Sequence, residues 1–420
     1  MARVSSISKV SARFSEQATR PRGIFDALFL AAPPVAAVIN VAWGSYAAAL
    51  VVFWVGLRHF LRRGRIVRLD VAIILAALIV WLSPTWAETT VEYPQSYSAS
   101  LGAALGVCYA LAIRWGIQSK RDFELFATAI STASALLAAF VLIFGERTSV
   151  AEGAERFFIE FANANYVSAV MATGATIAFW FARFSNARAF IRWMWLAAGL
   201  LQGVAVYLSG SRAALAGLLM AFFVLMSRVV WARVVHLVTL VAIGAGFVLT
   251  LFPQALAATL RLMAAQTGGA GSLGREDRFI ESASGRTDLW DATLSVIGKS
   301  WIVGWGPGRY QAEAKISQPA HALGLEFLAS VGVVGTVLLV AIMVTSYLTP
   351  KVASPSNVVL LWISASAVAL IPNMLISTHQ WSLWAWLVIA MWSRAHLLGM
   401  IADNPVVEPS ASMPGEVQRE

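Results

Sequence analysis

The chain has 420 residues, of which 59% are apolar and only 13% charged, and its net charge is +9. A soluble domain runs at about 45–50% apolar and about 25% charged. The composition therefore excludes a soluble enzyme, a disordered tail protein and a nucleic-acid binder, and the basic excess calls for a membrane explanation.

Residues 1–24 are polar and basic and lack an apolar core. They are expected to form a cytoplasmic tail with no cleaved signal, the first helix being its own insertion signal. Apolar runs near the length that spans a bilayer, about 20 residues, then occur at 25–41, 44–60, 71–87, 97–116, 124–144, 164–182, 193–208, 213–230, 234–252, 322–347, 357–376 and 380–399. Pro33-Pro34 is expected to kink the first, and only Trp43 and Gly44 separate it from the second. The expected fold is all-α and polytopic, with about twelve transmembrane helices. Nine fall within 25–252 and three within 322–399, a long loop occupies 253–321, and 400–420 is a disordered cytoplasmic tail rich in Pro and Ser. With the N-terminus inside, 21 of the 31 basic residues fall on the cytoplasmic side, Arg58, Arg114 and Arg394 among them, as the positive-inside rule requires. The single cysteine, Cys108, sits in an apolar run and reads as an inert small hydrophobe. No internal repeat is visible, and the 253–321 insertion breaks the symmetry that transporters often carry.

The long segment lies outside by this topology, and its charges nearly cancel. Leu289, Trp290, Leu294, Ile297 and Trp301 share one helical face. A helix lying on the membrane surface is expected, the plainer reading being an amphipathic helix packed on the bundle. Gly304-Trp305-Gly306-Pro307-Gly308 lacks the Gly-Lys-Ser/Thr of a phosphate loop and reads as a tight turn re-entering the bundle.

Two positions outside carry candidate chemistry. Ser209-Gly210-Ser211-Arg212 opens the eighth segment. Its residues suit helix capping, and the free N–H groups with Arg212 also suit an anion. An arginine snorkelling to lipid headgroups is the other reading. His321 opens the tenth segment at the same face, where an imidazole, ordinarily titrating near pH 6.5, can serve as a base. His59, His236, His379 and His396 are weaker candidates by position. The outside loops hold no acidic pair with metal-ligand spacing, and Asp-x-Asp is absent. Phosphate chemistry here is expected to need no metal or cofactor, with guanidinium groups stabilising the leaving group.

These pieces, in this order, resemble the O-antigen ligase and polymerase superfamily of bacterial inner-membrane glycosyltransferases. The resemblance rests on four stretches within about 150–340. Ser209-Gly210-Ser211-Arg212 is similar to the family's Ser-x-Ser-Arg at a helix start. Arg286, Trp290 and Gly304-Trp305-Gly306 follow its Arg-x-x-x-Trp and Gly-x-Gly pattern. His321, Leu325-Glu326 and Gly332-Val333-Val334-Gly335 resemble its His-Asn helix opening and later Gly-x-x-Gly. Arg156 followed by Asn163-Ala164-Asn165 resembles its Asn-Pro-Asn. Ala322 and Ala164 depart from the family's Asn and Pro.

The resemblance implies an inverting transfer of a glycan from undecaprenyl diphosphate on the periplasmic face of the inner membrane. In the ligase branch the acceptor is lipid A–core, and in the polymerase branch another lipid-linked repeat; the ligase branch is favoured. It implies Arg212 and Arg286 on the diphosphate and His321 as acceptor base. Ser209, Ser211, Arg156, Asn165, Trp290, Arg309 and Glu326 are then the expected substrate-binding set. The expected partners are the donor, the acceptor and membrane lipids. A lipid-linked glycan transporter is the rival from another class. It predicts ionisable residues at mid-membrane, where the helix centres hold almost none. A scaffold for polysaccharide assembly would tolerate loss of Arg212, Arg286 and His321.

Overall fold

A computed structural model describes residues 24–62, 64–86, 94–150, 154–158, 164–185, 187–226, 234, 237, 289–316, 320, 322–353, 357–376 and 381–399. Its elements in chain order are α1 (Ile24–Ile39), α2 (Val41–Leu61), α3 (Arg68–Trp86), α4 (Pro94–Gly116), α5 (Lys120–Phe144), β1 (Glu146–Val150), β2 (Ala154–Phe158), α6 (Ala164–Phe184), α7 (Ala189–Leu208) and α8 (Arg212–Met226). There follow α9 (289–299), then α10 (Arg309–Glu313), α11 (Leu323–Ala353), α12 (Asn357–Ile376), α13 (Leu383–Arg394) and α14 (His396–Gly399). Among the described residues, seven helices are long and apolar enough to cross a membrane: those within α2 to α7 and the Leu323–Thr349 part of α11. Ile24–Ile39, Ala213–Met226 and Val358–Leu370 are shorter apolar helices. The expected segment 234–252 lies outside the described residues, apart from 234 and 237.

Two local expectations need correction. The break between the first two helices falls at Asn40, not at Trp43-Gly44. Asn40 is extended, and its carboxamide accepts from the N–H of Ala42 and Trp43 at 2.8 and 3.3 Å, an N-cap that starts α2. Pro33 and Pro34 stay inside α1, both buried. The all-helical expectation also has one exception, the antiparallel β1–β2 hairpin, in which Thr148 pairs with Arg156. Thr148, Val150, Phe157 and Phe158 favour extended backbone there.

The helices pack with α4, α6, α12 and α13 inside and α2 and α7 outside. Phe53, Phe60, Phe190, Trp193 and Tyr207 are exposed on the outer pair, an apolar surface of the kind that faces lipid.

The two ends of the bundle differ in chemistry. At one end Asp70, Arg114 and Trp115 meet. Arg114 Nε lies 2.8 Å from Asp70 Oδ1, with both side chains buried, and Trp115 Nε1 donates to Asp70 Oδ2 at 3.1 Å. Arg394 donates to the Arg114 carbonyl, and His59 stacks on Trp115 with ring centroids 4.5 Å apart. At the opposite end of α3 and α4, Arg309 donates to the Pro84 carbonyl and Ser100 Oγ to the Pro307 carbonyl. The described part of the long segment therefore sits at the end away from Asp70.

The glycine turn enters α11 itself. Residue 332 is non-helical, with φ 63° and ψ −170°, so two helical hydrogen bonds, 333 to 329 and 334 to 330, are replaced. Ala329 and Ser330 carbonyls accept instead from the N–H of Trp305 and Gly306 at 2.8 and 2.7 Å. Val333 and Val334 N–H donate to the Trp301 and Ile302 carbonyls at 2.9 and 3.2 Å. Broken backbone at membrane depth must find such partners inside the protein. Only glycine suits the contact. Gly304 has φ +71°, and a Cβ on it would lie 2.5 Å from Gly332 N and Ser330 C. Gly304→Ala should therefore lower the thermal midpoint in detergent, through left-handed strain of about 1–3 kcal/mol plus the overlap. An unchanged midpoint would mean the junction is looser than this.

The predicted amphipathic helix is present as α9, but its apolar face is not laid on a membrane surface. Trp290 packs with Ala320, Ala322 and Leu325, and Val296 with Trp305, Tyr310 and Ala329. Trp290, Leu294 and Ile297 of the predicted face pack there, and Thr293 and Val296, outside that set, are buried with them. The partner of this face is the start of α11 and the turn before it, while Trp301 and Ile302 beyond the helix are exposed.

Candidate functional site

Two groups of polar side chains lie among the positions singled out by sequence. The first is the turn between α7 and α8. Gly210 takes φ 68°, which lets the chain reverse after Ser209, and the Leu215 N–H returns to the Ser211 carbonyl at 3.0 Å to begin α8. Ser209 Oγ is buried, donates to the Val206 carbonyl at 2.6 Å and accepts from Ser168 Oγ on α6 at 2.6 Å. Ser168 was not singled out by sequence, because nothing local marks a pairing across 41 residues. Ser211 sits where a cap normally directs its hydroxyl at the first turn's N–H groups. Here that hydroxyl is buried, 4% exposed as a residue, and has no partner among the described residues. A buried hydroxyl without a partner costs free energy and is available to a ligand.

Arg212 is the first residue of the 15-residue α8. Asn165 is exposed in the first turn of α6, one turn before Ser168, and Arg156 pairs through its backbone in the preceding hairpin. The side chains of Arg212 and Arg156, and all of Arg286 and His321, lie outside the described residues.

The second group surrounds the start of α11. Tyr310 Oη donates to Glu326 Oε2 at 2.6 Å, and both side chains are buried. Ala320 N–H donates to the same Tyr310 oxygen at 3.4 Å. Trp290, 5% exposed, donates from Nε1 to the Ala320 carbonyl at 2.8 Å. Burial above all, and then the charge of Glu326, hold the Tyr310 phenol well above its ordinary range, so it remains a proton donor. Arg309 is buried against Pro84 as described above. Sequence gave no sign of Tyr310, whose acceptor lies on the next helix. Trp290, Arg309 and Glu326 were expected at substrate, and the structure gives each a partner within the protein. Among the described residues, no group of three or more His, Cys, Asp or Glu could hold a metal ion.

Residues 197–340 match the family model described as O-antigen ligase. The matched span includes Ser209, Ser211, Arg212, Arg286, Trp290, Arg309, His321 and Glu326, and leaves Arg156 and Asn165 outside. No curated protein matches the chain. Together with the apolar helices, the match supports a multi-pass membrane protein of the O-antigen ligase type. That match, from the middle of α7 through the break in α11, covers about a third of the chain and supports its resemblance to the O-antigen ligase and polymerase superfamily.

Proposed function

We propose that the chain is an inverting, metal-independent glycosyltransferase. It moves an O-antigen glycan from undecaprenyl diphosphate to lipid A–core at the periplasmic face of the inner membrane. The observation that carries this reading is the Ser209–Arg212 turn. It lies within the matched family segment, opens a helix whose N-terminal N–H groups favour an anion, and holds the buried hydroxyl of Ser211, which has no partner among the described residues.

The topology that goes with this reading has about twelve spans and places 253–321 outside. Arg58, Arg114 and Arg394 then lie toward the cytoplasm, in keeping with the gathering of Arg114 and Arg394 around Asp70. The donor reaches the site laterally in the bilayer, its tail between helices and its diphosphate at headgroup depth. The acceptor oxygen attacks the anomeric carbon from the face opposite the diphosphate. The new C–O bond forms as the bond to the phosphate oxygen breaks, and the configuration inverts. The acceptor proton passes to His321, and undecaprenyl diphosphate leaves. Negative charge grows on the leaving oxygen, so contacts from Arg212 and Arg286 that tighten in the transition state lower the barrier. The sugar–diphosphate bond supplies the driving force, and no nucleotide is required.

The test uses purified protein in detergent with undecaprenyl-diphosphate glycan, lipid A–core and EDTA, and no nucleotide. Glycan is expected on lipid A–core. Arg212→Ala should lower the rate by about ten- to a hundred-fold, the worth of one charge-assisted contact of about 1.5–3 kcal/mol. Longer lipid-linked chains without transfer to lipid A–core would establish the polymerase reaction instead. No product, with donor crossing liposome bilayers that contain the protein, would establish transport.

A further inference from the structure

The two peptide groups that meet at Ala320, the second of which leads into His321, are each held by a side chain of the long segment. The Ala320 carbonyl, half of the peptide bond to His321, accepts from Trp290 Nε1 at 2.8 Å. The Ala320 N–H donates to Tyr310 Oη at 3.4 Å, and that hydroxyl donates onward to Glu326 Oε2 at 2.6 Å. On the other side of His321, the Ala322 carbonyl accepts the N–H of Glu326 at 2.9 Å. Glu326 therefore ties the chain after His321 to the chain before it. Ala320, Ala322, Tyr310, Glu326 and Trp290 are all buried, and they come from α9, α10, α11 and the strand of chain between.

Apolar packing alone would bury these elements. A carboxylate, a phenol and an indole N–H gathered around the backbone N–H and C=O of one residue do something packing does not, because a satisfied polar network in a low-dielectric interior admits one geometry. We propose that Trp290, Tyr310 and Glu326 are positioning residues that fix the backbone at Ala320 and so place His321 for proton transfer. This rests on the reading of His321 as acceptor base. It gives the Arg-x-x-x-Trp tryptophan a structural task in catalysis, in place of stacking on sugar. It also brings in Tyr310, which no motif contains.

A base displaced by about 1 Å loses roughly a hundred-fold in rate. Tyr310→Phe removes the hydroxyl that joins Ala320 to Glu326, and should lower kcat by about 10- to 100-fold while the KM for donor stays within about twofold. Trp290→Phe keeps an aromatic ring and removes the donor to Ala320, and should cost about tenfold in kcat. Each change is also made in the His321→Ala background, with the thermal midpoint recorded on every preparation. There, each should reduce the residual rate by less than about twofold, because a positioning residue acts only through the group it positions.

If His321→Ala alone retains the wild-type rate, the base assignment fails and the positioning role with it. If His321→Ala is impaired but Tyr310→Phe and Trp290→Phe keep the wild-type kcat, the positioning role alone is overturned. Equal losses in both backgrounds overturn it too, since the residues would then act elsewhere. If Tyr310→Phe does not fold, the same comparison with Trp290→Phe decides.

Discussion

Replacing His321 with alanine should lower the rate of the proposed glycan transfer by about 10²- to 10⁴-fold, the largest catalytic loss expected of any single substitution in this chain. A sugar hydroxyl is a poor nucleophile while it keeps its proton, and a free alkoxide is not formed near neutral pH. A base that accepts the proton as the C–O bond forms removes that obstacle. The loss should fall on kcat, with donor affinity unchanged within about twofold, because the diphosphate is assigned to Arg212 and Arg286. Initial rates at varied donor concentration separate the two. Arg286→Ala should behave differently, weakening both donor binding and turnover, since a guanidinium on a diphosphate acts in the ground state and more strongly in the transition state. Near-wild-type turnover in His321→Ala would remove the base and leave a reaction driven by leaving-group stabilisation alone.

How much of this was legible in the sequence depends on the range of the interaction. The helices were readable because a bilayer demands about 20 apolar residues per crossing, and segments such as 97–116 and 124–144 meet that demand plainly. The apolar face of α9 was readable by its period, but what it meets was not. A helix that covers protein and one that lies on lipid show the same stripe. Gly304 to Gly308 could be read as a tight turn from residue types. Its destination could not, because 327–344 is a mostly apolar stretch with no proline and Gly332 looks like any small helical residue. The break appears only once Trp305 and Gly306 are seen to replace the helix's own donors. Tyr310 and Ser168 were missed for the same reason: each finds its partner on another helix, and neither sits in a pattern with a mechanism attached. Asn40 was legible in principle, as a capping residue between two apolar runs, and the Pro33-Pro34 and Trp43-Gly44 signals drew the boundary away from it.

Arg114 shows the limit most clearly. By sequence it is one cytoplasmic cation among many, counted for topology. In the structure it is buried with Asp70, 44 residues away, and the pair joins α3 to α4 and, through Arg394, to α13. Asp70→Asn should therefore destabilise the protein by about 3–5 kcal/mol, as expected when one partner of a buried ion pair is removed. The reason is not the strength of the pair, since bringing two charges out of water offsets most of their attraction. It is that Arg114, with Arg394 against its carbonyl, is left buried beside a neutral amide. Trp115 Nε1 and the Val67 N–H, which donate to Asp70 Oδ2 at 3.1 and 3.2 Å, lose a charged acceptor as well. The double change Asp70→Asn with Arg114→Met should recover part of the loss, because an apolar side chain of similar length needs no counter-charge. Thermal unfolding of the two single variants and the double variant in one detergent measures this directly. Midpoints of the singles that add in the double would show that the two side chains do not interact. A double variant more stable than Asp70→Asn alone would locate the cost in the stranded guanidinium. The site should keep its chemistry in such a variant, since Asp70 lies at the end of α3 and α4 away from the Pro84–Arg309 contact. Turnover measured below its lowered midpoint should therefore match wild type within about threefold, the loss of stability being confined to the far end of the bundle.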